Sequence, residues 1–240
     1  MFSITILFSN NIVIKGQDNQ EITLKSSAKK VLLFPFPFAS MYISIDNGVQ
    51  NISGVHGDNK SLKDSFIVNA YPDVVKLNTE LVQSGFVPNI EQVISLKPDI
   101  IFQWADQGDH LIEPMRKVGL PVIGLKYGTQ EYLEEWIELI AKTTGNHKKA
   151  NEILKWHDET KEKLNKLSSQ KWNKPKILSL QFSKDRIRVA GSNTYDNFII
   201  QLIGGENLAY NNIQRFADIS KEQLLKYNPD VIILGNFDEQ

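Results

Sequence analysis

The chain has 240 residues, of which 41% are hydrophobic and 23% charged, and its formal net charge is −1 at pH 7. These values are typical of a globular protein with room for one large α/β domain or for two lobes of about 100 residues each. The net charge gives no general attraction to nucleic acid, and the lack of cysteine excludes disulfides, thiolate metal sites and thiol nucleophiles.

The first ten residues, Met1–Asn10, are mildly apolar, and we interpret them as a first β-strand. They lack a basic flank and are too short for a full secretory signal, so the remnant of such a signal and a misplaced start stay open as alternatives. No stretch of the sequence reaches the roughly 20 apolar residues that a membrane span needs. Alternating apolar residues then predict a hairpin over Ile12–Leu24, with its turn at Gln17–Asn19.

The first half of the chain alternates between predicted strands and predicted helices. The strands are Lys30–Phe34, Ile52–Val55, Asp99–Phe102 and Pro121–Leu125, and the helices are Ala39–Ile45, a segment between Asn89 and Pro98, and His110–Val118. This alternation favours a parallel sheet with right-handed crossovers. The Pro-rich stretch Phe34–Ser40 is predicted to form a loop at the end of a strand, and Asp64–Leu81 to be helical in pieces that break at Pro72.

One local pattern occurs twice. The segment Pro88–Phe102 (PNIEQVISLKPDIIF) is similar in sequence to Ile219–Leu234 (ISKEQLLKYNPDVIIL). Glu91 aligns with Glu222, at an offset of 222 − 91 = 131 residues. Each copy predicts a capped helix, a Pro-Asp turn and a buried strand. Because internal similarity is the usual sign of repeated architecture, the chain is predicted to have two similar lobes.

Two helices are predicted between these lobes. The first begins after Thr129 and stops near Gly145, and the second runs from Asn146 to about Ser168, roughly 34 Å at 1.5 Å per residue. The second contains no Gly or Pro, so it would resist bending and could brace two lobes. We therefore predict an α/β fold in which two lobes with parallel-type sheets are joined by one long rigid helix.

The second lobe is predicted to contain the strands Lys176–Leu180 and Arg186–Ala190, the helix Tyr195–Ile203 and the second copy of the repeated pattern. With so few strands it is expected to be incomplete. The expected division is an N-terminal lobe over residues 1–128, helices over 129–169 and a C-terminal lobe over 170–240.

The sequence carries no common catalytic signature. It has no G-x-G-x-x-G after a strand, no G-x-x-x-x-G-K-[ST], no G-x-S-x-G and no H-E-x-x-H. The histidines are scattered along the chain, so they predict no metal site: His56, His110, His147 and His157. No catalytic residue, metal or cofactor is expected.

Aromatic and cationic residues instead gather at the predicted carboxyl ends of strands, where open α/β sheets bind ligands. The candidates in the first lobe are Phe36, Phe38, His56, Gln103, Trp104, Lys126 and Tyr127, and those in the second are Arg186, Arg188, Tyr195, Arg215 and Phe216. Aromatic walls with a few cations suit a large, partly apolar, anionic ligand.

Glu91 and Glu222 hold matched positions near the starts of the two repeated helices. The helix dipole alone favours exposed glutamates there. One carboxylate on each lobe, on the same face of a two-lobed body, would also orient a partner that carries arginines.

Five segments, taken in order, resemble the substrate-binding proteins of iron-complex and cobalamin ABC importers. They are Lys30–Phe34 (KVLLF), Pro88–Phe102, Gly119–Leu125 (GLPVIGL), Asp196–Ala209 (DNFIIQLIGGENLA) and Ile219–Leu234. The resemblance implies two α/β lobes joined by a single long helix, with the ligand held between them, and only a small closure on binding. It also implies that Glu91 and Glu222 dock onto arginines of the membrane permease.

By the same resemblance, the protein is expected in the periplasm or at the cell surface, as a monomer that delivers its ligand to an ABC permease dimer. A ferric siderophore is the expected ligand, carried as cargo, and haem, cobalamin and molybdate-type oxyanions stay open. Gln103–Gly108 and Lys126–Thr129 are the segments where ligand contacts are expected first. Family members usually continue well beyond the position of Gln240 and begin with a signal sequence.

Two functions of other classes stay open at this point. A two-lobed glycosyl or nucleotide-sugar transferase has the same kind of architecture, but no phosphate-cradling loop supports it. Direct binding of a divalent metal would show as metal retained without an organic chelator.

Overall fold

The computed structural model describes residues 11–57, 66–169, 173–183, 186–212 and 214–235. The chain forms two compact units. The first comprises the described residues up to Tyr127 together with Glu134–Glu152, and the second comprises Gly128–Leu133 with the described residues from Ile153 onward. The strand predicted at Met1–Asn10 lies outside the described residues.

The predicted hairpin is confirmed. β1 (Ile12–Lys15) and β2 (Glu21–Leu24) pair antiparallel, with Ile12 opposite Leu24 and Ile14 opposite Ile22. Ile14 and Leu24 are buried, as expected where strand side chains alternate between two environments.

The rest of the first unit is a parallel sheet with helical connections. Its strands are β3 (Val31–Leu33), β4 (Ile52–Val55), β5 (Ile100–Trp104) and β6 (Val122–Leu125), and its α-helices are α1 (Phe36–Asp46), α2 (Ile67–Ala70), α3 (Ile90–Leu96) and α4 (Glu113–Lys117). Short 3₁₀ turns lie at Pro72–Lys76, Ser84–Phe86 and Asp109–Leu111. The strand order is β4-β3-β5-β6, and every pairing is parallel, as predicted.

The Pro-rich stretch is not the predicted loop. α1 begins at Phe36, three residues earlier than predicted, with Pro35 at the N-cap position and Pro37 within the first turn. Proline is tolerated there because the first N–H groups of a helix have no partner within the helix. Phe38 therefore lies on a helix and has no exposed surface.

The core of the first unit lies on both faces of its sheet. All residues of β3 and β5 are buried, and the side chains packed around them include Phe38, Tyr42, Val93, Met115 and Trp136. Strands covered on both faces are uniformly apolar rather than alternating. Each fully buried large apolar side chain contributes about 1.5–3 kcal/mol.

The helix, turn and strand of the repeated pattern are confirmed in both copies, but the prediction that the second strand is buried is wrong. Val231–Leu234 are 36–63% exposed, because this strand lies at the edge of its sheet in the part of the chain that the structure describes. α3 matches α8 (Lys221–Tyr227), and β5 matches β11 (Val231–Gly235), all at the offset of 221 − 90 = 131. The side chains of Asn89 and Ser220 cap the two helices by accepting a backbone N–H. The residues just before the two prolines, Lys97 and Asn228, both adopt the left-handed conformation, with φ of 50° and 44°.

The two predicted connecting helices are present as α5 (Gln130–Thr144) and α6 (His147–Ser168). Thr129 caps α5 as predicted, since its Oγ1 accepts a hydrogen bond of 3.3 Å from the Tyr132 N–H. α6 is continuous over 22 residues. Its apolar residues are only partly covered: Ala150 is buried, whereas Leu167 is 55% exposed.

The remaining elements of the second unit are β7 (Lys176–Ser183), β8 (Arg186–Ala190), α7 (Tyr195–Leu202), β9 (Glu206–Asn207) and β10 (Phe216–Ile219). The strand order is β10-β8-β7-β11, with β9 also on β7. β11 and β9 pair parallel with β7. β8 pairs antiparallel with β7 on one side and with β10 on the other. In the part of the chain that the structure describes, no helix has the length and apolar character needed to cross a bilayer.

Candidate ligand-binding site

Four strands of the first unit end side by side in aromatic residues. Phe36 follows β3, His56 follows β4, Trp104 ends β5 and Tyr127 follows β6. Because these strands are parallel and adjacent, their carboxyl ends meet along one edge of the sheet. Together with Phe86 these residues form one contiguous set of rings, here called the aromatic cluster: Phe36, His56, Phe86, Trp104 and Tyr127.

The rings of the aromatic cluster touch in sequence. Phe36 lies edge-on to His56, with centroids 4.2 Å apart, and His56 stacks on Phe86 at 4.3 Å. The Phe86 ring is 6.3 Å from that of Trp104, which is 5.7 Å from that of Tyr127. Edge-to-face and offset-stacked pairs at these distances are favourable because ring faces are negative and ring edges positive.

His56 is held as a neutral side chain. Burial lowers the pKa of its imidazole below the ordinary value of 6.5. Its Nδ1 has no hydrogen-bond partner among the described residues, and neither has the Nε1 of Trp104, which is 3% exposed. A buried polar atom without a partner costs about 1–3 kcal/mol, so such atoms are uncommon and are often found at functional sites.

Phe86 was not predicted as a site residue. It ends a 3₁₀ turn with φ of 66°, a conformation that is uncommon for a residue with a Cβ. The buried side chain of Gln103 fixes this turn, donating from Nε2 to the Phe86 carbonyl at 3.0 Å. The feature of the sequence that could have identified Phe86 is its position directly after Gly85, in the loop that leads into the first repeated helix.

The side chain of Gln17 supports the edge of the aromatic cluster. Its Oε1 accepts hydrogen bonds from the Lys126 N–H at 2.6 Å and from the indole N–H of Trp136 at 3.0 Å. Trp136 is fully buried, and its ring lies 5.8 Å from that of Trp104 and 6.3 Å from that of Tyr127. The turn of the hairpin thus positions the loop after β6, a role that sequence reasoning missed.

Two further predicted residues of the first unit differ in their placement. Lys126 is partly exposed and precedes Tyr127 at the same edge of the sheet. Phe38 packs in the core against Phe102 at 4.6 Å and Trp136 at 5.6 Å. Since Phe38 has no exposed surface, the prediction that it lies in a ligand-facing loop is wrong.

In the second unit, Tyr195 and Arg215 flank one loop. Tyr195 begins α7 directly after residues 191–194 and is 38% exposed. The carbonyl of Arg215 accepts a hydrogen bond from the Gly191 N–H at 3.0 Å, which fixes Arg215 beside the same loop. Thr194 completes the loop by donating to the Gly191 carbonyl and by capping α7.

Arg188 does not lie at a strand end. It is the middle residue of β8, opposite Asp218 of β10, and its Nε is 3.4 Å from the Asp218 carboxylate. Its guanidinium also lies 5.2 Å from the centroid of the Phe216 ring. The prediction that Arg188 lies at a strand end is therefore wrong, because the strand continues for two residues beyond it; its role in ligand binding stays a prediction. Arg186, the first residue of β8, also lies away from the carboxyl end of its strand.

Glu91 and Glu222 occupy the first turns of α3 and α8, and both are exposed. The pKa of the Glu222 carboxyl is lowered mainly by a hydrogen bond from the Ser220 side chain and, to a smaller extent, by one from the backbone N–H of Glu222. This carboxylate is therefore ionised at neutral pH. The two side chains thus have matched places within their own units.

The described residues form no group of three or more His, Asp or Glu side chains that could hold a metal ion. A cavity of about 730 Å³ in the second unit contains none of the predicted site residues; its lining includes Lys174, Gln201, Glu206, Asn207 and Tyr210. The buried amide of Asn207 is already bonded to Ala190 and Asn197, which indicates a structural role.

Comparison with known proteins gives a consistent result. A vitamin B12-binding protein of Yersinia pestis is 22% identical over 214 residues, covering 88% of this chain and 74% of that protein. A periplasmic solute-binding protein of Veillonella parvula has a TM-score of 0.79 and 29% identity over 96% of this chain and 70% of its own. A Staphylococcus epidermidis structure, described as a possible iron-binding periplasmic solute-binding protein, has a TM-score of 0.66 and 20% identity over 87% and 78% of the two chains.

The family model described as periplasmic binding protein matches residues 56–239. This range includes both copies of the repeated pattern and every member of the aromatic cluster except Phe36. The chain belongs to the periplasmic binding protein family.

Proposed function

We propose that this protein is the extracytoplasmic substrate-binding component of an ABC importer and that it captures an iron complex of the ferric siderophore class. The observation that supports this most is the aromatic cluster at the carboxyl edge of the first unit's sheet. In open α/β sheets this edge is where ligands bind. Haem, cobalamin and a molybdate-type oxyanion are alternative ligands in the same role.

The ligand contacts proposed for the first unit are Phe36, His56, Trp104, Lys126 and Tyr127, to which the geometry adds Phe86. Those proposed for the second unit are Tyr195 and Arg215, whose positions beside one loop favour a joint role. Arg188 stays a weaker candidate, because it lies in the middle of β8 beside Asp218 and Phe216 rather than at a strand end. The iron complex is cargo, and the proposal includes no resident cofactor and no catalytic step.

The proposed partner is a membrane permease dimer. The protein acts as a monomer and contacts the permease through Glu91 and Glu222. Exposed carboxylates at helix starts are available to arginines of a partner, and charge pairs of this kind set register and encounter rate more than affinity. The matched placement of the two glutamates on α3 and α8 supports this role.

The function is tested by titrating the pure protein with ferric siderophores, haem, cobalamin and molybdate while tryptophan fluorescence is recorded. Trp104 belongs to the aromatic cluster, so the response should fall in a Trp104→Phe variant. Trp156, which lies on α6 and is 62% exposed, provides the control, because Trp156→Phe should keep the response. A protein that responds to none of the four ligand classes would refute the assignment.

The transferase alternative is tested on the same preparation. Turnover of a nucleotide sugar by the pure protein would revive it, although the sequence has no phosphate-cradling loop. Stoichiometric divalent metal retained without a chelator would favour direct metal binding instead.

A further inference from the structure

The accessible part of the aromatic cluster is uncharged. Phe36 is 43% exposed, and His56, Phe86 and Tyr127 are partly exposed. Phe36 and Phe86 carry no ionisable group, and burial lowers the pKa of the His56 imidazole below its ordinary value of 6.5. The cluster therefore offers a ligand ring faces and ring edges, together with the polar atoms of His56, Trp104 and Tyr127.

The ring geometry suits another flat ring. His56 and Phe86 are nearly parallel, with an angle of 28° between their planes, while Phe36 stands at 80° to His56 and at 74° to Phe86. These are the arrangements that aromatic quadrupoles prefer, and an added ring would extend them. A compact oxyanion needs cationic or backbone N–H donors instead; the rings supply no cation, and Lys126 is the one cationic side chain among the contacts proposed for the first unit.

Gln103 keeps Phe86 in its place. The Gln103 side chain is fully buried, accepts a hydrogen bond from the Trp104 N–H at 2.8 Å and donates one to the Phe86 carbonyl at 3.0 Å. Phe86 has a left-handed backbone conformation, which residues with a Cβ keep only where the surroundings enforce it. Without this amide the turn would lose the bond that holds the Phe86 ring against His56.

We propose that the ligand lays a flat conjugated ring on the aromatic cluster, with Phe86 as the central contact and Gln103 as its positioning residue. This inference rests on the proposed function and names the class of complex within it: an iron chelate whose ring system is conjugated. A catecholate and a tetrapyrrole share this chemistry, and the probes below distinguish them.

The test measures the affinity of the full chain for four probes. Ferric enterobactin carries three catechol rings and haem carries a tetrapyrrole, whereas ferrioxamine B is a trihydroxamate without aromatic rings and molybdate is a compact oxyanion. The variants are Phe86→Leu and Gln103→Leu, and the controls are Phe86→Tyr and Phe182→Leu, since Phe182 is a 45% exposed phenylalanine of the second unit.

We expect ferric enterobactin or haem to bind and to lose roughly two- to tenfold in affinity in Phe86→Leu and in Gln103→Leu, with no loss in either control. Any binding of ferrioxamine B should be unchanged by the variants. A purely structural role of Gln103 would instead weaken all bound probes alike and would overturn its positioning role. If Gln103→Leu fails to fold, as judged by circular dichroism, Phe86→Leu still decides whether the ring contact exists.

The possible outcomes separate this inference from the proposed function. Binding of ferrioxamine B alone would overturn the ring contact and leave the siderophore function standing. Binding of haem alone would support the ring contact and overturn the siderophore class. Binding of molybdate alone, or of no probe, would overturn both.

Discussion

Asp99 and Asp230, which lie 230 − 99 = 131 residues apart, make the same pair of hydrogen bonds in their separate units. The Asp99 N–H donates to the Lys30 carbonyl at 2.9 Å, and its carboxylate accepts from the Lys30 N–H at 2.9 Å. Asp230 does the same with Lys176, at 2.8 Å in both directions. Each aspartate thus ties the start of its own strand to the start of the neighbouring strand, which explains why the Pro-Asp turn occurs in both copies of the repeated pattern.

Removing these carboxylates should loosen the starts of β3 and β7. We expect Asp99→Ala to lower the local free energy of opening by about 1–3 kcal/mol, because two backbone N–H groups, those of Lys29 and Lys30, lose their acceptor. Asp230→Ala should cost less, since only the Lys176 N–H is affected. Hydrogen exchange of peptides that contain β3 or β7 measures both effects.

The control for these variants is Asp73→Ala, which breaks an exposed ion pair with Lys76. Such pairs are worth about 0–1 kcal/mol, so exchange of β3 and β7 should stay unchanged. Equal protection of β3 in Asp99→Ala and in the parent chain would contradict the anchoring role.

The proposed docking of Glu91 and Glu222 predicts a split between binding and transport. We expect the double variant Glu91→Ala/Glu222→Ala to keep its ligand affinity and to bind the permease about two- to thirtyfold more weakly, from about 0.2–1 kcal/mol for each exposed pair. Uptake into proteoliposomes at low protein concentration should fall accordingly. The matched control removes one exposed glutamate elsewhere in each unit, as Glu80→Ala/Glu206→Ala. Uptake that falls equally in both double variants would remove the special role of the helix starts.

The stability of the first unit should depend on pH through His56. Burial lowers the folded-state pKa of this imidazole below the value of 6.5 expected in the unfolded chain. As the pH falls below about 6.5, the unfolded state therefore takes up more protons than the folded state, and the free energy of unfolding decreases; above that pH the contribution is constant.

Urea unfolding at pH 7.5 and at pH 5.0 measures this effect. A His56→Gln variant should lose less stability on acidification than the parent chain, and His110→Gln, which replaces an exposed histidine, should lose as much as the parent. An unchanged pH dependence in His56→Gln would show that the imidazole already accepts its proton freely in the folded state.

Gly124 is expected to tolerate no side chain. A Cβ there would overlap the carboxylate of Asp18 and lie 2.7 Å from the Cβ of Ala105. Asp18 forms a largely buried ion pair with Arg116, which also donates to the Val122 carbonyl. We expect Gly124→Ala to lower the free energy of unfolding by about 1–3 kcal/mol. In an Asp18→Ala background the same change should cost less, and equal costs in both backgrounds would exclude the carboxylate as the source of the clash.

Sequence reasoning reached the elements that depend on local pattern. The hairpin, the parallel strands β3 to β6 and the two copies of the helix, turn and strand were all predicted, because period, capping residues and Pro-Asp turns act within a few residues. The start of α1 was missed, since the Pro-rich stretch Phe34–Ser40 predicted a loop although proline fits the first helical turn.

The amino-acid sequence alone therefore determined the α/β class, the duplication and the family resemblance. Only the tertiary structure decided which side chains meet. Strand order brings Phe36, His56 and Trp104 together with Phe86, whereas antiparallel pairing places Arg188 opposite Asp218 and helix packing buries Phe38. The physical reason is that strand order, direction and register join residues far apart in the chain, and short-range patterns of polarity and conformation do not specify these long-range pairings.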